Sequence, residues 1–237
     1  MRSSPAVVAL TAALLISTVG CTNQVTGTAR QDPTQPPLAL SEDGSGILAG
    51  FPDAPVQIEI FTEPQCNHCA ELQDGFGDEI GHYINLGQLA VTYRPLTFMD
   101  DPDDDDGYSA RVANALFLAV GPAEATEEPN VASGPEFQRF VQELWANQNP
   151  GGPGPTDEEM EEMATKAGMP TDVARKIGGG DDATNVDIEE MADDNFSYLI
   201  EVDPIDSGTP TVYDLGNEEK VDIYYDDWLD KLMSSST

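Results

Sequence analysis

Positive charge is scarce in this chain. Ten Lys and Arg face 44 Asp and Glu over 237 residues, a formal charge of −34 at pH 7. Such a balance excludes nucleic acid as a partner, since its phosphates would repel the protein. It excludes electrostatic adhesion to anionic lipid on the same ground. The acidic excess itself reads as a strongly solvated surface and identifies no partner. Histidine is nearly absent, with only His68 and His82, and cysteine is limited to Cys21, Cys66 and Cys69. A closed zinc site needs four ligands. This inventory offers no second cysteine pair to complete one, so no metal is expected. The apolar run over residues 6–16, with Thr11 inside it, falls well short of the ~20 residues that a membrane-spanning helix needs.

What is present begins with that run. Preceded by Arg2, it has the dimensions of a signal-peptide core. It leads to Ser17-Thr18-Val19-Gly20-Cys21, and small residues ahead of such a cysteine resemble a bacterial lipobox. The resemblance implies removal of residues 1–20 and a lipid on Cys21, which would also account for the odd thiol. The alternative is an ordinary secretory cleavage site that leaves Cys21 free and the protein secreted. Residues 22–46 are rich in Thr, Gln, Pro, Ser and Gly and lack apolar periodicity. They are expected to form a flexible tether between the anchor and a domain over residues 47–237. The expected location is the extracytoplasmic face of a bacterial cell membrane.

Hydrophobic residues make up 39% of the chain, enough for a sizeable core. Residues 56–62, Val-Gln-Ile-Glu-Ile-Phe-Thr, alternate and are rich in β-branched side chains, which predicts a strand. Leu72, Phe76 and Ile80 follow at helical spacing, in a helix beginning near Cys66, and residues 89–96 predict the next strand. Residues 100–107 form an acidic loop. Its glycine comes one position late for a calcium loop, and Val112 stands where the bidentate Glu belongs. Helices are expected over residues 108–119, 135–145, 156–168, 170–177 and 185–201. The third opens on the capping-box pattern Thr156-Asp157-Glu158-Glu159. Asn195-Phe196-Ser197 is a glycosylation sequon, but it lies inside the last of these helices. Strands over 211–215 and 221–225 and a short helix over 226–233 close the chain. The expected fold is α/β, ordered βαβ then ββα, with an inserted helical subdomain over about residues 100–205.

Chemistry is concentrated in Cys66-Asn67-His68-Cys69 at the strand-to-helix turn. The unpaired N–H groups of a first helical turn, and its dipole, favour a thiolate at Cys66. Cys69 lies one turn further in and can resolve a mixed disulfide. A partly positive His68 imidazole is expected to lower the Cys66 pKa further. A structural disulfide in so small a loop would stabilise little. Gly208-Thr209-Pro210-Thr211 is the second signal, a proline entering a strand, where a cis bond makes a tight turn.

Together these stretches resemble a DsbA-type member of the thioredoxin superfamily. The similarity runs from about Gly50 to Lys231. It includes the entry turn Gly50-Phe51-Pro52-Asp53-Ala54-Pro55, the CxxC, Tyr93-Arg94-Pro95-Leu96 and the Gly208-Thr209-Pro210-Thr211 loop. The resemblance implies Cys66 as nucleophile, Cys69 as resolving thiol and Pro210 as the cis-proline, with no cofactor. It places Thr209 and Asn67 against an extended substrate segment. His68 fits the strong oxidants of the family. Asn67 stands where they usually carry Pro, and Thr209 is closer to the isomerase and reductase branches. The position where the family often buries a relay acid, six before the first cysteine, is Ile60, and Glu59 should point to the other face. The implied partners are exported proteins bearing thiols or disulfides, and a membrane protein that recycles the pair. A reductase or isomerase using the same residues stays open, as does a non-catalytic peptide-binding lipoprotein.

Overall fold

The computed structural model describes residues 35–102, 104, 106–120, 131–184 and 186–235. The expected signal peptide, Cys21 and the first part of the tether lie outside the described residues. In chain order the elements open with β1 (Leu38–Leu40), β2 (Ile47–Ala49), β3 (Val56–Thr62), α1 (Asn67–Asn85) and β4 (Leu89–Pro95). Five helices follow: α2 (Tyr108–Leu118), α3 (Gly134–Ala146), α4 (Asp157–Lys166), α5 (Thr171–Gly178) and α6 (Ile188–Val202). The chain closes with β5 (Thr211–Asp214), β6 (Glu219–Lys220) and α7 (Trp228–Ser235). The strands form one six-stranded sheet in the order β1-β2-β4-β3-β5-β6.

β3 pairs in parallel with β4, Ile60 opposite Tyr93, and antiparallel with β5, Phe61 opposite Thr211. Its alternation sends Val56, Ile58 and Ile60 to one face, where they are buried with Leu72, Ile80 and Ile84 of α1 and Phe137, Phe140 and Val141 of α3. The other face is covered as well. Phe61 packs there with Leu96 and with Leu199 of α6. A strand covered on both sides is the normal centre of a sheet with helices on both faces. Burying each such aliphatic side chain contributes roughly 1.5–3 kcal/mol. Phe76 of α1 meets Trp228 of α7 edge to face at 5.2 Å, which ties the last helix to the first.

Two expectations need correction. Residues 35–46 are not tether. β1 pairs with β2 and β2 with β4, and Leu38, Ile47 and Ala49 are buried in the main core. Strands of three residues are too short to show a period-two pattern, so the hairpin is invisible to periodicity. Its turn is held by Ser41, whose N–H donates to the Gly46 carbonyl at 2.8 Å and whose hydroxyl accepts from the Gly46 N–H at 2.7 Å. Asp43 closes the turn by accepting from the Ser45 N–H at 3.1 Å. Gly134, at the start of α3, packs so closely on this layer that a Cβ there would lie 2.8 Å from the Gly50 nitrogen.

The second correction is at the other edge. Residues 221–225 alternate but do not form a strand; β6 is Glu219–Lys220 alone. Asp222 accepts from the Tyr224 N–H at 3.3 Å and bends the chain, a local side-chain bond that competes with a ladder. Tyr224 is left 87% exposed.

Candidate active site

The C-terminal end of β3 delivers the chain into a tight link, Glu63-Pro64-Gln65, in which the Cys66 N–H donates to the Glu63 carbonyl at 3.0 Å. Cys66 is the N-cap of α1, with extended φ −76 and ψ 117. The first turn then closes, the N–H groups of Cys69 and Ala70 both donating to the Cys66 carbonyl, at 3.1 and 3.3 Å. This geometry also sets the backbone N–H groups of His68 and Cys69 beside the Cys66 sulfur.

Both cysteines are free thiols in this structure, Cys66 half-buried and Cys69 only 1% exposed. Cys66 is pulled down from 9.0 to about 5. The leading cause is a hydrogen bond from the Cys69 thiol. Burial opposes it, and bonds from Thr209 and from the backbone N–H groups of Cys69 and His68 add to it. Cys69 moves the other way, well above the ordinary thiol value, because it is buried and because it sits beside the Cys66 sulfur as its donor. The two sulfurs are thus pushed apart, Cys66 toward the thiolate and Cys69 toward the thiol.

Asn67 and His68 are exposed. The His68 ring does not lie against the cysteines as expected. Its Nδ1 is 3.5 Å from Glu71 Oε2, with both side chains in solvent. It is the His68 backbone N–H that reaches the Cys66 sulfur. The hydrogen bond from this residue to Cys66 is made by its backbone, while the ring pairs with Glu71 in solvent.

The second loop arrives from the far end of the sequence. The Thr209–Pro210 peptide is cis, and the Cys66 Sγ lies 3.2 Å from the Thr209 carbonyl oxygen. Because β5 is antiparallel to β3, with Thr211 opposite Phe61, Thr209 and Pro210 are set beside the nucleophile at the half-buried rim. The structure therefore brings Cys66, Cys69, Thr209 and Pro210 together, with Asn67 at the exposed edge.

Sequence reasoning missed what lies beneath. Glu63 is 0% exposed. One of its carboxylate oxygens accepts from the Gln65 N–H at 2.6 Å and the other from the Ser109 hydroxyl. Buried Gln65 donates to Asp100 at 2.9 Å and to the Ser109 hydroxyl at 3.2 Å, and accepts from the Gly151 N–H at 3.1 Å. Asp100 accepts from the N–H groups of Ser109 and Ala110, both at 2.8 Å, and so caps α2 from outside the helix. Gln148 donates to the Cys66 carbonyl at 3.2 Å. The α3–α4 connection thereby lies over the base of the CxxC turn. Burial pushes the Glu63 carboxyl from 4.5 up to about 7. The Ser109 and Gln65 bonds resist this, and the nearby charges of Asp100 and Cys66 reinforce it. A charged residue directly after a buried strand and before a proline was the available signal.

Glu59 does point to the other face, as expected. It is buried and accepts from Arg94 Nε at 2.9 Å and Nη2 at 2.6 Å. Asn195 of the sequon is 0% exposed, and its amide donates to the carbonyls of Ser45 and Pro95 at 2.8 and 2.9 Å. Among the described residues no group of three His, Cys, Asp or Glu side chains is placed to hold a metal ion. Among them, too, no helix is long and apolar enough to cross a membrane.

The family model described as "Thioredoxin" matches residues 42–222, from the first hairpin through β6. The chain belongs to this thioredoxin family. Its fold is DsbA-like. The thiol–disulfide oxidoreductase MdbA of Corynebacterium diphtheriae superposes with a TM-score of 0.61 at 23% identity, covering 84% of this chain and 95% of that one. The DsbA of Chlamydia trachomatis superposes with a TM-score of 0.57 at 18% identity, covering 79% and 89%. In sequence, the thioredoxin-family chain is 28% identical over 176 residues to the serine/threonine-protein kinase PknE of Mycobacterium tuberculosis. That match covers 71% of this chain and 28% of the kinase, so the chain spans little more than a quarter of the relative's length.

Proposed function

We propose that this chain is an extracytoplasmic thiol–disulfide oxidoreductase that donates a Cys66–Cys69 disulfide to exported proteins. The observation that carries the reading is the placing of two sulfurs at the start of α1, Cys66 half-buried at the N-cap and 3.2 Å from the Thr209 carbonyl of the cis-proline turn, Cys69 buried one turn inward. In the oxidising direction a substrate thiolate attacks the Cys66 sulfur. The bond to Cys69 breaks, and Cys69 takes the electron pair and, being buried, a proton. A second substrate thiolate then attacks the substrate sulfur of the mixed disulfide. The substrate disulfide forms and Cys66 leaves as its stable thiolate. A low-pKa leaving group departs quickly, and a stable reduced form makes the disulfide the stronger oxidant. The backbone of Thr209 pairs with the extended substrate segment while this happens, a short strand addition. Asn67 flanks that segment.

Family membership and the likeness to MdbA and DsbA folds support the reading. Export follows from the leader-like N-terminus, with a lipid on Cys21 as the membrane anchor and a membrane redox protein restoring the disulfide. Metabolic labelling with a fatty acid, lost in Cys21→Ala, tests the anchor. Replacing Cys66 by Ser abolishes oxidation of a reduced substrate protein; full retention would sink the assignment. The deciding measurement is the reduction potential of the pair in graded glutathione buffers. A value near −120 mV, about that of strongly oxidising DsbA enzymes, supports a disulfide donor. A value near −270 mV, about that of thioredoxin, replaces it with a reductase or isomerase using the same residues.

A further inference from the structure

Glu63 is sealed where an anion is costly. A buried carboxylate is usually neutralised by a cation, yet among the described residues no Lys or Arg forms an ion pair with it. What surrounds it is neutral or negative. The end of β3 supplies its own backbone, and the link to α1 supplies the Gln65 N–H. The start of α1 supplies the Cys66 sulfur, and the β4–α2 loop supplies Asp100, both repelling its charge. From α2 come the Ser109 hydroxyl, which donates to it, and the Tyr108 phenol, whose own ionisation its charge disfavours. The α3–α4 connection contributes the uncharged Gln148 and Gly151, which engage Cys66 and Gln65. The His68 imidazole and Glu71 pair with each other in solvent.

Only one of these neighbours changes its charge in the redox cycle. With Cys66 a thiolate, two negative groups would share a poorly solvated site, and a carboxyl beside a fixed anion holds its proton. With Cys66 in a disulfide, that anion is gone. The Gln65 N–H and the Ser109 hydroxyl, which favour the carboxylate, then meet one opponent fewer.

We propose that Glu63 is a redox-linked proton site, protonated while Cys66 is a thiolate and ionised while Cys66 is bonded to Cys69. The proposal rests on disulfide exchange at this pair. It adds where the second proton goes. When a substrate dithiol is oxidised, its two sulfurs bond to each other and two electrons enter the Cys66–Cys69 bond. Of the two protons released, one goes to Cys69 and the other to Glu63, while Cys66 stays an anion. Reoxidation by the membrane partner returns both. Glu63 does not touch the substrate. It is a positioning residue that acts through the Cys66 charge, and its raised pKa places the exchange of that proton near neutrality.

The test measures protons taken up per two electrons, from the pH dependence of the reduction potential between about pH 5.5 and 8.5, in wild type and in Glu63→Gln. Well above the Cys66 value of about 5, where Cys66 is ionised, Cys69 alone accounts for one proton. Wild type is expected to exceed one in a band around pH 7 and Glu63→Gln to stay at one. An infrared difference spectrum on reduction should gain a protonated-carboxyl band that Glu63→Gln lacks. A purely structural Glu63 predicts equal counts in the two proteins and no such band, and would overturn the proposal. Should Glu63→Gln fold poorly, Ser109→Ala keeps the test open. Losing the hydroxyl that favours the carboxylate moves the excess uptake to higher pH, and an unmoved band overturns the proposal. Failure of the exchange reading itself looks different: no oxidant would join Cys66 to Cys69, and no potential could be measured.

Discussion

Glu59 and Glu63 lie four residues apart, one inside β3 and one just past its end, and both are buried. Their surroundings differ in kind. Glu59 lies on the α6 face against Arg94, whose two donors to it are joined by a third to Asp43 at 2.7 Å and a contact with Asn195 at 3.3 Å. Its charge is matched by Arg94, and Arg94 joins four segments, the first hairpin, β3, β4 and α6. Glu63 lies below the CxxC turn with neutral donors and negative neighbours. A matched buried carboxylate serves the fold. An unmatched one is free to change its charge and suits a site where charge moves.

The largest effect should come from breaking the matched side. Arg94→Met leaves Glu59 buried without its cation, and removing one partner of a buried pair costs about 3–5 kcal/mol. Urea unfolding should show a loss of that size, with much of it recovered when Glu59→Gln is added. A small loss would mean that the pair matters little and that the two carboxylates are not opposites.

The next effect is on the unmatched side, and its sign is opposite. Glu63 is raised from 4.5 to about 7, so between those values the folded chain holds a proton that the unfolded chain has lost. Stability is whole below the unfolded value and falls as pH rises through the folded one. Glu63→Gln removes that fall. At about 1.4 kcal/mol per pKa unit, the variant should be more stable than wild type at pH 8 by up to about 3 kcal/mol, and not at pH 4. Unfolding of the dithiol form, in which Cys66 adds its charge to the causes that raise Glu63, checks this at both pH values.

The smallest effect is at the rim of the matched network. Asp43 is half exposed; burial raises its pKa, but bonds from Ser41 and Arg94 outweigh that and hold it below 3.8. Asp43→Ala should cost about 0.5–1 kcal/mol at pH 7, as exposed pairs do. The difference should vanish as pH drops through the lowered Asp43 value.

The two carboxylates also mark how far the sequence could be read. Alternation over residues 56–62 and helical spacing from Leu72 to Ile80 give β3 and α1 because those signals are local. The same alternation sends Glu59 away from Ile60, as the structure shows. The CxxC and the Thr209–Pro210 turn are short motifs whose chemistry is carried by residue type, so both were legible. Glu63 was not, because its meaning depends on Ser109, 46 positions later, and on the cysteine charge above it. The backbone bond from His68 to Cys66 was hidden for a related reason. Residue type suggested a charge beside Cys66, but the first helical turn aims the ring at Glu71 and the backbone at the sulfur. The β1–β2 hairpin escaped notice because three-residue strands carry almost no pattern.

The buried amide of Asn195 has a practical consequence for making this protein. Its two donors are used up on the carbonyls of Ser45 and Pro95 in the interior, so a sugar on that nitrogen and the folded state exclude each other. In a eukaryotic secretory host, glycan transfer to Asn195-Phe196-Ser197 would precede folding and trap the nascent chain. A bacterial host, or Ser197→Ala in a yeast or insect cell, avoids the trap at a residue far from the cysteines in sequence.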